Sequence, residues 1–230
     1  MKEAKPDVLI VGEVWENAAH YLNGDMLDCA MNYDFRRYCR RFFAEETVGA
    51  ETFDANVSTL LLRYREAALY AQLNLLDSHD VSRYMTLCGE NMNKMELSVL
   101  FQMTFPGMPC VFYGNEKGLG GAAESEYRQA MAWEKQHPLE KVYRSLIALR
   151  KEHPALRYGD FRTNIASDRV YSYSRSWNGQ KITVTMNLGD VPIPAPKQGS
   201  VLLKKGKNRD IIGSWEYEVR EEQIHGGDDL

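Results

Sequence analysis

The sequence predicts an α/β chain: half of a (β/α)8 barrel of the TIM type, followed by a small antiparallel β domain. Three observations carry this reading. Apolar strand runs alternate with helical repeats through the first two thirds of the chain. Beyond about Tyr158 the helical period gives way to a period of two. A complete barrel takes about 250 residues, so the 230 residues here do not hold one together with a second domain. The expected division is 1–157 for the half barrel and 158–230 for the β domain.

Val8-Leu9-Ile10-Val11 is apolar without alternation, as a parallel strand covered on both faces would be. Asp28–Tyr33 is a weaker second strand that runs into a helix with Phe35, Tyr38, Cys39 and Phe42 on one face. Phe53, Val57, Leu60, Leu61 and Tyr64 repeat that spacing, and Leu73–Leu76 forms the third strand. Asn93, with Glu96 three residues on, predicts the capped start of a helix that Pro106-Gly107 stops. Cys110–Tyr113 is the fourth strand. Pro138 suits the first turn of a further helix carrying Leu139, Val142, Tyr143, Leu146 and Ile147. Then Val170–Ser174 alternates, Asn178-Gly179 signals a tight hairpin, and Ile182–Met186 returns. Further β segments are expected near Val201–Leu203 and Ile211–Val219, and Pro192, Pro194 and Pro196 mark a loop or an edge. The tail from His225 to Leu230 is expected to fray.

With 44% hydrophobic and 26% charged residues and a net charge of −4, the chain carries no electrostatic footprint for nucleic acid. The densest basic run, Lys204-Lys205-Gly206-Lys207, reads as a solvated turn. Its N-terminal apolar run is too short for a signal peptide or a membrane span. Cys29, Cys39, Cys88 and Cys110 lack CxxC spacing and read as buried free thiols in a reducing cytoplasm. His20, His137, His153 and His225 form no ligand-spaced pair, so neither a metal nor another cofactor is expected.

Glu13 and Asp80 each follow the C-terminal end of a predicted strand, where barrel enzymes place their chemistry. A glutamate beside Val14 and Trp15 is expected to be partly desolvated, which favours its acid form; a strand-closing ion pair is the alternative. Asp80 can stabilise positive charge on a sugar or cap the next helix, and His79 can donate to a hydroxyl. Trp15 can present its face to a sugar ring or pack in the core.

The strings GEVWEN (Gly12–Asn17) and LLDSHDVSR (Leu75–Arg83) resemble two signature segments of the α-amylase family of glycoside hydrolases, most closely its neopullulanase and cyclomaltodextrinase branch. The resemblance implies the second half of the catalytic barrel, holding its last four strands, and a C-terminal β-sandwich. It also implies that Glu13 is the acid/base, that Asp80 is the third, stabilising carboxylate, and that His79 and Arg83 contact substrate; Trp15 joins them as a candidate sugar contact on its aromatic chemistry alone. Two departures stand out. Val81-Ser82 replaces the Thr-Pro usual after the His-Asp pair, and Asn115 in Tyr113-Gly114-Asn115-Glu116 stands where the family usually has Asp; Asn115 and Glu116 are read as structural or rim residues. No nucleophile segment, with an Arg two residues before an Asp, precedes Glu13. The expectation is therefore the C-terminal portion of a cytoplasmic hydrolase acting on α-glucans or cyclodextrins, inactive alone. A non-catalytic glucan-binding or assembly half barrel and a transglycosylase fragment are the alternatives. Self-association through the open half barrel is expected.

Overall fold

The computed structural model describes residues 1–224. Its first part contains four short parallel strands, β1 (Val11–Gly12), β2 (Cys29–Ala30), β3 (Leu73–Leu75) and β4 (Met108–Cys110). β1 pairs with β2 and β3 with β4, while a parallel bridge from Met31 to Leu73 joins the two pairs, so the strands stand side by side in chain order. Helices α1 (Tyr33–Cys39), α2 (Ala50–Arg63) and α3 (Glu66–Ala71) separate β2 from β3, and α4 (Tyr84–Leu87) and α5 (Met92–Thr104) separate β3 from β4. Helices α6 (Glu124–Tyr127), α7 (Leu139–Glu152) and α8 (Pro154–Tyr158) follow. This is a partial barrel.

Buried amides tie the strands together. The Asn32 amide donates to Asn74 Oδ1 at 2.9 Å, Asn74 Nδ2 donates to the Pro106 carbonyl at 2.7 Å, and Gln102 donates to the carbonyls of Asn74 and Cys110. Each bond satisfies a polar group that water cannot reach.

The first strand departs from expectation. Leu9 and Val11 are 53% and 41% exposed, so a run read as doubly covered lies open, with a ladder only two residues long. Helix α5 also starts differently: Asn91 is the cap, accepting from the backbone of Asn93 and Lys94. Asn93 and Glu96 instead hold Lys205 Nζ at 2.8 and 2.6 Å. Pro106 forces Phe105 to be extended, which ends α5 at Thr104 as anticipated.

The remainder is a five-stranded antiparallel sheet in the order β5 (Arg162–Ser167), β6 (Val170–Trp177), β7 (Gln180–Asn187), β11 (Glu216–Gln223), β9 (Ser200–Lys205). A small pair joins β8 (Ile193–Pro194) to β10 (Ile211–Ile212). Asn178 and Gly179 have φ of 47° and 80°, the left-handed values that a two-residue hairpin turn between β6 and β7 demands. Lys204 and Lys205, read as a solvated turn, lie on β9 and pair with Glu218 and Glu96.

One apolar core runs across the position between residues 157 and 158. Phe53 and Phe101 of the helices meet Tyr171 and Tyr173 of β6 edge to face. Buried Arg175 of β6 donates to the carbonyls of Thr104, Leu156, Gly159 and Asp160, binding the sheet to the ends of α5 and α8. Cys29, Cys39 and Cys88 are buried, Cys110 is half-buried, and all four are free thiols. Among the described residues no helix is long and apolar enough to cross a membrane.

Candidate active site

Glu13 follows β1 and Asp80 follows β3, with β2 between them, so both carboxylates leave the same end of the parallel strands. Ligand atoms of Glu13, His79 and Asp80 all lie within 4.8 Å of one another. Two residues well separated in sequence thus converge on one rim.

Tyr33, just past β2, is the pivot. Its hydroxyl lies 3.2 Å from Glu13 Oε1 and 3.0 Å from Ser78 Oγ, and Ser78 Oγ also accepts from the Asp80 backbone at 3.3 Å. Burial raises the Tyr33 pKa above its ordinary value, so the phenol stays a proton donor toward the carboxylate. The Trp15 ring stacks on Tyr33 with centroids 4.0 Å apart and planes 13° apart, and remains about half exposed (49%). Sequence reasoning missed Tyr33, although its place just past a barrel strand was a usable signal.

Asp80 is held on both sides. His79 Nε2 lies 3.1 Å from Asp80 Oδ2, and Arg128 Nη2 lies 2.8 Å from Oδ1 while its Nε donates to the His79 carbonyl at 2.8 Å. Arg128 also pairs with Glu124 one helical turn earlier. Nothing in the local sequence marks Arg128, because its partners lie 48 and 49 residues away.

Two expectations change. Glu13 is exposed rather than partly desolvated. Arg83, expected at the substrate, is fully buried. It donates to the carbonyls of Tyr113 at 2.6 Å and Tyr127 at 3.0 Å, and its guanidinium lies 4.5 and 4.6 Å from the ring centres of Phe112 and Tyr113. It braces the segment that carries Arg128.

Beneath the rim lies buried Asp77. It accepts from the Tyr84 backbone at 2.6 Å, and the Asn115 carboxamide lies 2.7 Å from its other oxygen. Burial pushes its pKa up to about 7 against the opposing pull of the Arg36 and Arg83 guanidinium groups. Asn115 is buried, as a structural role requires; a carboxylate there would face another.

Sequence spacing predicted no metal ligands, yet Glu13, His79 and Asp80 come within the reach of one cation. Arg128 already meets the charge of Asp80, which works against a second cation there.

Parallel strands with carboxylates converging at their C-terminal rim are the arrangement found in TIM-barrel enzymes. Residues 1–138 match the family model "Alpha amylase, catalytic domain". The chain is 41% identical over 192 residues to neopullulanase 2 of Thermoactinomyces vulgaris and 37% identical over 190 residues to a cyclomaltodextrinase of Thermoanaerobacter pseudethanolicus. Each alignment covers 81% of this chain and 33% of the relative. The solved debranching enzyme of Nostoc punctiforme superposes with a TM-score of 0.86 at 27% identity, over 95% of this chain and 51% of that one. The chain belongs to the α-amylase family of glycoside hydrolases. It spans about a third of the length of the two curated relatives.

Proposed function

We propose that this chain supplies the acid/base, Glu13, and the stabilising carboxylate, Asp80, of a cytoplasmic glycoside hydrolase acting on α-glucans or cyclodextrins, and that it is inactive alone. The observation that carries the reading is the convergence of Glu13, His79 and Asp80 at one rim from strands separated by β2. The names of the relatives point to cyclodextrins and pullulan as substrates.

In this reading Glu13 protonates the leaving glycosidic oxygen, and Tyr33 orients its carboxyl through their hydrogen bond. Asp80, aimed by His79 and Arg128, faces the sugar as positive charge develops at the anomeric carbon. The half-exposed Trp15 offers an apolar surface to a sugar ring. A retaining mechanism also needs a nucleophile about 5 Å from the acid across the scissile bond. Asp80, already engaged by Arg128, does not take that part.

The test is incubation of the purified chain with maltooligosaccharides, cyclodextrins and pullulan. No release of reducing sugar is expected, and weak oligosaccharide binding should fall in Trp15→Ala and His79→Ala. Turnover that disappears in Glu13→Gln would overturn the inactivity and show the site to be complete.

A further inference from the structure

At the opposite end of the strands from Glu13, two clefts of about 590 and 430 Å³ meet at a shared wall made of Glu66, Tyr70, Tyr158 and Trp177. Their position follows from chain order. Helix α3, which contains Glu66 and Tyr70, leads into the N-terminal end of β3, and Pro106 on the larger cleft leads into β4. Glu13 and Asp80 lie past the C-terminal ends.

Tyr158 and Trp177 are exposed large aromatics, 52% and 42% accessible. Their ring centroids are 5.8 Å apart and their planes are inclined by 47°. Each is fixed by its element: Tyr158 ends α8, and Trp177 ends β6 at the Asn178-Gly179 turn. The two rings form a wedge, with the Arg157 guanidinium 5.0 Å from the Tyr158 ring centre. Around it the wall is mixed, with the carboxylates of Glu66 and Asp160 and the amide of Asn178 beside the rings and the guanidinium groups of Arg150 and Arg157 lining the smaller cleft. Asp160 is itself set in place by accepting from the Ser176 backbone at 2.7 Å.

These features select a ligand class. A cleft of this size suits a small molecule or a short chain of sugar units. The rings offer apolar faces to C–H surfaces, while carboxylates and an amide accept and donate at the equatorial hydroxyls of a neutral sugar. The carboxylates of Glu66 and Asp160 are matched by the guanidinium groups of Arg150 and Arg157, so the wall carries no net charge that would select an ion and suits an uncharged ligand. Planes inclined to one another suit a polymer that curves, as an α-1,4-linked glucan does, better than a flat ribbon.

We propose that Tyr158 and Trp177 form a second, non-catalytic α-glucan-binding platform, separate from the Glu13 rim. The proposal rests on the α-glucan reading of that rim. Calorimetric titration of the 230-residue chain with maltoheptaose should reveal two sites. Trp177→Ala and Tyr158→Ala, on different elements, should each weaken one by about tenfold or more, and Trp177→Phe should retain part of the affinity. Trp15→Ala should remove only the other site. Circular dichroism and thermal melting establish that each variant is folded.

Isotherms of Trp177→Ala and Tyr158→Ala that superimpose on wild type, with a single site lost in Trp15→Ala, would overturn the platform and leave the Glu13 reading intact. Binding lost in Trp177→Ala and untouched in Trp15→Ala would support the platform and count against sugar binding at the Glu13 rim. A changed sedimentation coefficient in Trp177→Ala with unchanged sugar binding would overturn the platform in favour of a protein contact.

Discussion

Arg128 reaches across the rim to Asp80, with Nη2 2.8 Å from Oδ1 and Nε bonded to the neighbouring His79 carbonyl. One guanidinium thereby fixes both the carboxylate and the backbone of the His-Asp pair. Because Arg128 is 46% and Asp80 30% exposed, solvent screens the pair and its stabilising effect is small, about 0 to 1 kcal/mol. Arg128→Ala should therefore leave the melting temperature nearly unchanged while weakening maltooligosaccharide binding several-fold. A titration showing wild-type affinity in a folded Arg128→Ala would remove Arg128 from the site.

Arg83 should behave in the opposite way. Its buried guanidinium satisfies the Tyr113 and Tyr127 carbonyls and stacks on Phe112 and Tyr113. Truncation strands both carbonyls and opens a cavity, so Arg83→Ala should cost roughly 3 kcal/mol of stability. Urea denaturation measures this. A loss below about 0.5 kcal/mol, the range of ordinary surface substitutions, would contradict the bracing role.

Asp77 makes stability depend on pH. Its carboxyl, pushed up from 3.8 to about 7 by burial, holds its proton in the folded state where the unfolded chain has released it. The protonated acid thus favours folding, and its contribution declines as pH rises from about 4 to about 7 and is constant above. The facing groups are Arg36, Arg83, Asn115 and the Tyr84 amide, and the two guanidinium groups temper the effect. Asp77→Asn should gain stability relative to wild type as pH rises from about 4 to about 7 and keep that gain above it. Parallel denaturation curves at all pH values would refute the assignment.

The open barrel should drive association. Leu9, Val11, Val111 and Tyr113 are exposed, and among the described residues β1 and β4 each pair on one side only. Unpaired strand edges beside apolar surface recruit another chain. Sedimentation velocity at micromolar concentration should show species larger than the monomer, with binding of a dye that reports exposed apolar surface. A stable, dye-silent monomer would count against it.

Long periodic segments were legible because their period reports directly which face is buried. Helices α2 and α7 form where Phe53, Val57 and Leu60, and Leu139, Tyr143 and Leu146, share a face. The Asn178-Gly179 turn was legible because its backbone needs residues tolerant of positive φ. Ile147, assigned to an inner face, is 36% exposed, and Leu149 takes the buried place. The rotation of the helix on its neighbours, which sequence does not carry, decides that. The exposure of Val11 was illegible for a related reason, since an apolar run states what a strand can bury and not what is there to cover it.

By itself, then, the sequence determined the element types, the two β-strand ends that bear Glu13 and Asp80, and the family. Each of these is written in a local string: a hydrophobic period, a turn dipeptide, a motif of six to nine residues. Only the tertiary structure decided that Tyr33 and Arg128 complete the rim, that Arg83 is buried, and that Tyr158 meets Trp177 across a cleft. Those relationships join residues 19 to 48 positions apart, and their distances are set by how strands and helices pack, which no local pattern encodes.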